Sequence, residues 1–242
     1  MSALLSISGL KKSFGAVVVA DDTSFQVERG AAIGILGPNG AGKTSLFHLI
    51  TGVLSADAGR IEFAGNDITN QSAAQRCKLG IARSFQVPQP FSGMTVFENA
   101  LVGATQGAGL SGHEAETHVV DVLDATGLLR KANVRAGSLT LLERKRLEMA
   151  RALSAKPQLL LLDEIAGGLT DAECVELIST IKRVHAAGTT IIWIEHVVHA
   201  LLAIVERLIV IDFGKKIAEG EPKAIMESDQ VKEIYLGVDP DV

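Results

Sequence analysis

The chain has 242 residues, enough for one large domain that buries roughly 70–75% of its unfolded surface. With 47% hydrophobic and 21% charged residues and only 6 Pro, it is too apolar for a disordered or low-complexity protein. A net charge of −5 and 4% aromatics argue against nucleic-acid binding by phosphate neutralisation or base stacking.

The first 85 residues read as short strands punctuated by turns. Residues 4–10 alternate Leu and Ile with Ser, and residues 24–27 alternate with Phe25 and Val27 inward. Residues 31–36 form a continuous apolar run, the pattern of a strand buried on both faces. A helix with Leu46, Leu49 and Ile50 on one face follows and stops at Gly52; residues 60–63 and 81–85 are further strands. From 88 to 153 the period turns helical, with Ser/Thr-x-x-Glu boxes at Thr95/Glu98, Ser111/Glu114 and Thr140/Glu143 marking helix starts. Residues 103–112 read as a mobile loop by composition. After Pro157 come a strand over 158–163 and a helix from Asp171, capped by Thr170 and Glu173. That helix carries Val175, Ile178, Ile181 and Val184 and ends at Gly188. A strand over 189–195, a helix to about Val205, strands at 208–212 and 216–219 and a helix begun by Pro222 complete the pattern. Strand–helix alternation interrupted by an all-helical stretch predicts an α/β core with a helical lobe.

Cys77 and Cys174 are too few for a disulfide framework or a four-thiolate zinc site, and read as reduced, half-buried thiols. The start at Met1 has no basic segment leading into an apolar one, so no signal peptide is expected. No apolar run approaches the roughly 20 residues a bilayer requires. Membrane association is therefore expected only through a partner.

Gly37-Pro38-Asn39-Gly40-Ala41-Gly42-Lys43-Thr44 matches G-x-x-x-x-G-K-[ST] directly after a buried strand and directly before a helix. Glycines let the backbone wrap an anion with its N–H groups inward, and the helix N-terminus adds partial positive charge. Lys43 is expected to reach the β- and γ-phosphates, with Ser45 alongside, and the Thr44 hydroxyl to hold Mg²⁺. Four leucines run into Asp163-Glu164, two acids at a strand's carboxyl end, where an open α/β sheet presents ligands. Asp163 is expected to hold Mg²⁺ and Glu164 to act as general base toward water. The absence of an Asn-Lys-x-Asp base-reading motif argues against a GTPase.

With these motifs in this order, the chain resembles the ATP-binding subunits of ABC transporters over essentially its whole length. The resemblance implies a P-loop NTPase core of mixed sheet and helices, an antiparallel β subdomain and an inserted helical subdomain. It implies one nucleotide-binding domain over 1–242, with the helical part at about 88–155. Within it Gln86 looks like the Q-loop glutamine, Gly168-Leu169-Thr170 occupies the D-loop position, and His196 looks like the switch histidine. Phe14 stands where an aromatic stacks on adenine; the alternative is a core phenylalanine at a strand–turn junction. His48, His113, His118, His185 and His199 read as surface or packing residues. Arg83-Ser84-Phe85-Gln86, Met94-Thr95-Val96-Phe97-Glu98-Asn99 and Ile234-Tyr235-Leu236-Gly237 resemble the branched-chain amino acid importer group, whose relatives handle urea and amides.

The resemblance implies ATP and Mg²⁺ as bound species and a second ATP-binding subunit, the same or different, that sandwiches two nucleotides. It further implies integral membrane permease subunits, indirectly a solute-binding protein, no nucleic acid, and a peripheral place on the cytoplasmic face of the membrane. Val87, Phe91, Met94, Val96 and Phe97 are candidates to line a groove for a permease helix, or to form the lobe's core. The family signature Leu-Ser-Gly-Gly-Gln aligns with Leu139-Thr140-Leu141-Leu142-Glu143, so the hydroxyl is kept and both glycines are leucine. Two readings compete there: impaired turnover, because a branched Cβ obstructs close backbone approach, or retained function through a capped helix N-terminus. The rival functions are a lipid or lipopolysaccharide export ATPase and a nucleotide-binding subunit with weak hydrolysis.

Overall fold

The computed structural model describes residues 3–236. The reading at Met1 and the end of the 234–237 stretch, at Gly237, lie outside them. The strands are β1 (Ala3–Phe14), β2 (Val17–Glu28), β3 (Ala32–Leu36), β4 (Ala58–Phe63), β5 (Asn66–Asp67), β6 (Ile81–Arg83), β7 (Leu159–Asp163), β8 (Thr190–Ile194), β9 (Arg207–Asp212) and β10 (Lys215–Gly220). The helices are α1 (Lys43–Thr51), α2 (Ala73–Lys78), α3 (Val96–Val102), α4 (Gly112–Ala125), α5 (Leu141–Ser154), α6 (Asp171–Ala186), α7 (Val198–Leu202), α8 (Pro222–Glu227) and α9 (Asp229–Leu236). The chain divides into two compact units, residues 1–72 with 192–242, and residues 73–191.

In the first unit, β1 pairs antiparallel with β2 and β4, and β4 with β5. β3 runs parallel to β9, which pairs antiparallel with β10, so this arrangement is mixed. All five residues of β3 are buried, as its unbroken apolar run requires. Gly52 ends α1 in the left-handed region at φ 76°, where only glycine sits without strain.

In the second unit, β6 runs parallel to β7, with Arg83 opposite Leu161. The helical stretch packs around Val96, Ala100, Ala104, Val119, Leu123, Leu139, Leu147 and Ala150, all buried. Residues 103–112 are not a loop throughout: Gly103–Gly107 is a π-helix that continues α3, and α4 begins at Gly112. The glycines are there for contact. A Cβ on Gly103 would lie 2.3 Å from the Arg151 carbonyl oxygen, and one on Gly107 would lie 2.5 Å from the Ala155 Cβ. Composition alone reads such residues as flexible; packing against α5 makes them spacers.

Other expectations are also corrected. Ser111 precedes α4 but makes no side-chain cap, so the box with Glu114 is absent. Helix α6 buries Cys174, Leu177, Thr180, Ile181 and Val184, while Val175 is 65% exposed. The stripe therefore lies one residue back from the expected one at its N-terminal end. Helix α2 was not foreseen: among its six residues only Arg76 is buried, so no apolar stripe announces it. Cys77 is half-buried and Cys174 buried, neither in a disulfide, and burial raises the Cys77 thiol above its ordinary pKa.

The remaining boxes are complete at Thr95/Glu98, Thr140/Glu143 and Thr170/Glu173. The Thr95 and Thr170 N–H groups and hydroxyls hold Glu98 and Glu173 below the ordinary glutamate value. Burial pushes Glu143 up, but Lys131 and the Thr140 N–H outweigh it and the net shift is also down. Carboxyls lowered by folding contribute stability above their unfolded pKa and lose it as pH falls through the folded value. Thermal midpoints followed by circular dichroism are expected to fall as pH drops below about 4.5, the ordinary value for these groups. Glu98→Gln is expected to make that fall less steep.

Candidate nucleotide site

The phosphate loop belongs to the first unit. It leaves buried β3 at Gly37 and enters α1 at Lys43. Two of its glycines are demanded by close approach. A Cβ on Gly37 would lie 2.1 Å from the Ile211 carbonyl oxygen, and one on Gly42 would lie 2.3 Å from the Val19 carbonyl oxygen. Gly42 also sits at φ 100°, which L side chains rarely adopt. Ala41 donates its N–H to the Pro38 carbonyl (3.2 Å), and its own carbonyl accepts the Gly214 N–H (2.9 Å). The loop is thus fixed from within and from the β9–β10 turn.

Lys43 is only 5% exposed, and its ammonium donates to the carbonyls of Gly37 (2.7 Å) and Pro38 (2.9 Å). The N-cap of α1 is Gly42, which has no side chain to cap the leading N–H groups. Thr44 is exposed and Ser45 half-buried at this end, and half-buried Pro38 with exposed Asn39 and Gly40 forms the crown of the loop. An uncapped helix end beside a buried ammonium is a concentration of donors suited to an anion. In the same unit, Phe14 is 51% exposed with the Lys12 ammonium 5.3 Å from its ring centroid, so the core alternative falls away. His196 is exposed after β8; buried Glu195 accepts its N–H (3.0 Å) and that of Val197 (3.4 Å), fixing the turn that carries it.

The second unit holds the acids. Asp163 ends β7, fully buried, and Glu164 follows at φ 46°, a left-handed conformation that costs a non-glycine residue about 1–3 kcal/mol. Buried Lys145 donates to the Glu164 carbonyl (3.5 Å). Gln86 Nε2 donates to the Glu164 carboxylate, and the Arg83 guanidinium pairs with Asp163. Ser84, also buried, takes the Asp163 N–H on its hydroxyl (3.4 Å) and donates its own N–H to Leu161 (2.9 Å). Sequence reasoning located Gln86, Asp163 and Glu164 but assigned no part to Arg83, Ser84, Lys145 or Glu195. No sequence signal marks Arg83: only the β6–β7 pairing sets it opposite Leu161 and so on the face of Asp163 two positions on.

Beyond Gln86 the chain is tied to α5. The Glu148 carboxylate accepts the Gln89 N–H (3.0 Å) and two bonds from Arg151 (2.8 and 2.7 Å). Arg151 donates in turn to the Gln89 carbonyl (3.1 Å) and lies 5.5 Å over the Phe91 ring. Burial raises the Glu148 carboxyl above its ordinary value, partly offset by Arg151. At the other end of α5, the Thr140 hydroxyl accepts the Glu143 N–H (3.4 Å), and Glu143 accepts the Thr140 N–H (3.0 Å). Leu139 and Leu142 are buried, whereas Leu141 is exposed, and a Cβ on Gly168 would meet it at 3.4 Å. Leu169 is half-buried and exposed Thr170 caps α6. Val87 and Phe91 are exposed, Met94 and Phe97 half-buried, and Val96 fully buried in the helical core, so Val96 lines no groove.

No group of three or more His, Cys, Asp or Glu among the described residues is placed to hold a metal by protein ligands alone. The expected donor set of Thr44 hydroxyl, Asp163 carboxylate and Gln86 amide oxygen is all oxygen. Its single carboxylate fits Mg²⁺, which is usually held by one or two carboxylates together with substrate phosphates.

A buried strand, a glycine-clamped phosphate loop and an uncapped helix define a P-loop nucleoside triphosphatase. Residues 20–167 match the ABC transporter family, and the chain belongs to it. The lipopolysaccharide export system ATP-binding protein LptB of Acidithiobacillus ferridurans is 34% identical over 237 residues, covering 98% of each protein. The high-affinity branched-chain amino acid transport ATP-binding protein BraF of Pseudomonas aeruginosa is 32% identical over 249 residues, covering 97% of this chain and 98% of that one. The ADP conformation of an ATP-binding cassette of an ABC transporter superposes with a TM-score of 0.89 at 32% identity, covering 98% of this chain and all of that one. The chain is therefore a nucleotide-binding ATPase subunit of an ABC transporter, a family whose ATPase subunits dimerise and work with membrane permeases. No helix among the described residues is long and apolar enough to cross a membrane.

Gly42→Ala forces a Cβ against the Val19 carbonyl at an adverse φ. It is expected to destabilise the chain by about 1–3 kcal/mol in urea unfolding, as overpacking does, and to abolish ATP uptake in calorimetry.

Proposed function

We propose that this chain binds and hydrolyses ATP as one of two paired subunits, a single domain over 1–242 with a helical subdomain at about 88–155. The pair drives an integral membrane permease that imports branched-chain or related amino acids, delivered by a solute-binding protein. The observation that carries the motor reading is the Gln86–Glu164 contact. It joins the acid at the end of β7 to the segment that Glu148 and Arg151 bind to α5.

In this reading the N–H groups of residues 37–45 and the Lys43 ammonium bind the phosphates, and Phe14 stacks on the adenine. ATP displaces the Gly37 and Pro38 carbonyls as partners of Lys43, exchanging neutral acceptors for charged ones, which bind roughly twice as strongly. Glu164 accepts a proton from the attacking water, Gln86 orients that water, and His196 contacts the γ-phosphate. Thr44, Asp163 and Gln86 hold Mg²⁺, which when bound neutralises charge on the phosphates. Loss of γ-phosphate alters what Gln86 and Glu164 touch. Through Gln89, Glu148 and α5 that change reaches residues 139–143, which serve the partner's ATP.

The Thr140 hydroxyl is engaged as a cap, and exposed Leu141 stands where close backbone approach to phosphate is wanted. The helix N-terminus nevertheless remains an anion site by its dipole. Turnover at the partner's site is accordingly retained but slowed. The chain sits peripherally on the cytoplasmic face of the membrane. Similarity to BraF supports import; similarity to LptB at 34% identity supports a second reading, lipopolysaccharide export.

Glu164→Gln is expected to lower kcat about 10²–10⁴-fold while ATP affinity is kept, as loss of a general base does. Unchanged turnover would overturn the assignment. Lys43→Ala is expected to weaken ATP binding about 10–100-fold, the loss of hydrogen bonds to a charged group. Purifying the chain with its membrane partners and identifying the solute that stimulates ATPase decides between import and export.

A further inference from the structure

Arg83 pairs with Asp163 in a nearly dry setting: the two side chains are 6% and 2% exposed. The pairing follows from the β6–β7 register. Arg83 lies opposite Leu161, so its side chain projects on the face that Asp163 occupies two residues further along. The ring of Phe85 lies 5.3 Å from the guanidinium carbon. Ser84 receives the Asp163 N–H, and Gln86 donates to Glu164. One short segment thus holds both acids of the doublet, the first through a cation and a hydroxyl, the second through an amide.

We propose that Arg83 is a positioning residue for metal binding: it fixes the Asp163 carboxylate in the orientation from which it holds Mg²⁺. This rests on the reading of Asp163 as a metal-holding residue. The physical argument has two parts. Asp163 and Glu164 are adjacent carboxylates at one strand end, and a cation against one of them offsets their like-charge repulsion. A buried carboxylate paired with a guanidinium is also constrained in orientation by that pairing, and hydrogen-bond partners of metal ligands typically contribute about 10–100-fold in metal affinity. The guanidinium meets the carboxylate through Nη2 on Oδ2, and its planar head presents that N–H in a fixed direction where an ammonium is a point charge. Arg83 itself touches neither nucleotide nor metal in this account.

The test measures the dissociation constant of a non-hydrolysable ATP analogue on the full chain, once with Mg²⁺ and once with EDTA. The ratio of the two constants is the coupling between metal and nucleotide. Arg83→Lys keeps the charge and loses the planar head; Arg83→Gln removes the charge. Both are expected to shrink the ratio at least about tenfold, with the EDTA value changed less than about twofold. In ATPase assays the Mg²⁺ concentration for half-maximal rate should rise while kcat at saturating Mg²⁺ falls less. Arg83 acting only as a prop for the fold would lower the thermal midpoint or weaken both constants alike, leaving the ratio at its wild-type value, and would overturn the proposal. Asp163→Asn is measured beside them. If it abolishes the coupling while both Arg83 variants keep it, the role of Arg83 fails alone. If Asp163→Asn also keeps it, the metal reading of Asp163 fails, and the proposal with it.

Discussion

A lysine ammonium held inside a loop of its own backbone is the constraint on which the rest of the structure turns. Lys43 is almost wholly buried, and its charge is met by the Gly37 and Pro38 carbonyls. Carbonyl oxygens answer an ammonium less strongly than an anion does, so the loop holds its shape against a standing preference for an anion. What stops it relaxing is covalent and steric: Gly37 and Gly42 approach the Ile211 and Val19 carbonyls too closely for any side chain. The Gly214 N–H anchors the loop from the β9–β10 turn, while the Gly214 carbonyl accepts from Thr23 (2.8 Å) and the Asp21 N–H (2.8 Å). Much of the first unit can be understood as a frame for this turn.

The second unit holds the acidic doublet. Glu164 pays for its position with a left-handed backbone, and strain of that kind at a residue bearing chemistry is retained where the position itself matters. The surrounding bonds over-determine it: Lys145 on its carbonyl, Gln86 on its carboxylate, Arg83 and Ser84 on its neighbour Asp163. The Glu148–Arg151–Gln89 network then extends this order into α5. Glu148 is ionisable and buried, and its raised carboxyl shows that burial outweighs Arg151. Such a group stabilises the fold little; its value lies in fixing where the segment after Gln86 runs.

The altered residues at 139–143 show how a helix terminus tolerates change. Side chains at 141 and 142 differ from the glycines of the signature, yet α5 begins at a complete capping box, because Thr140 and Glu143 satisfy each other's N–H groups. Leu142 is drawn inward and becomes core, whereas Leu141 is left exposed at the helix start. The two substitutions are thus unequal: one is absorbed by packing and the other remains at the surface.

The sequence by itself determined most of the features that depend on short spacing. The phosphate loop, the leucine run ending in Asp163-Glu164, the capping boxes at Thr95, Thr140 and Thr170 and most strand positions rest on residues within a few positions of one another, where propensity and pattern act. Only tertiary structure decided the rest. Gly103 and Gly107 look flexible until α5 lies against them; Ser111 looks like a cap but makes no bond; the buried stripe of α6 shifts to Cys174 and Leu177. Arg83 is an ordinary strand residue until β7 is laid beside β6 and brings in Asp163, 80 residues away. Spacing along the chain carries no record of which strand pairs with which, and pairing is what turns a lone arginine and a lone acid into one charged unit.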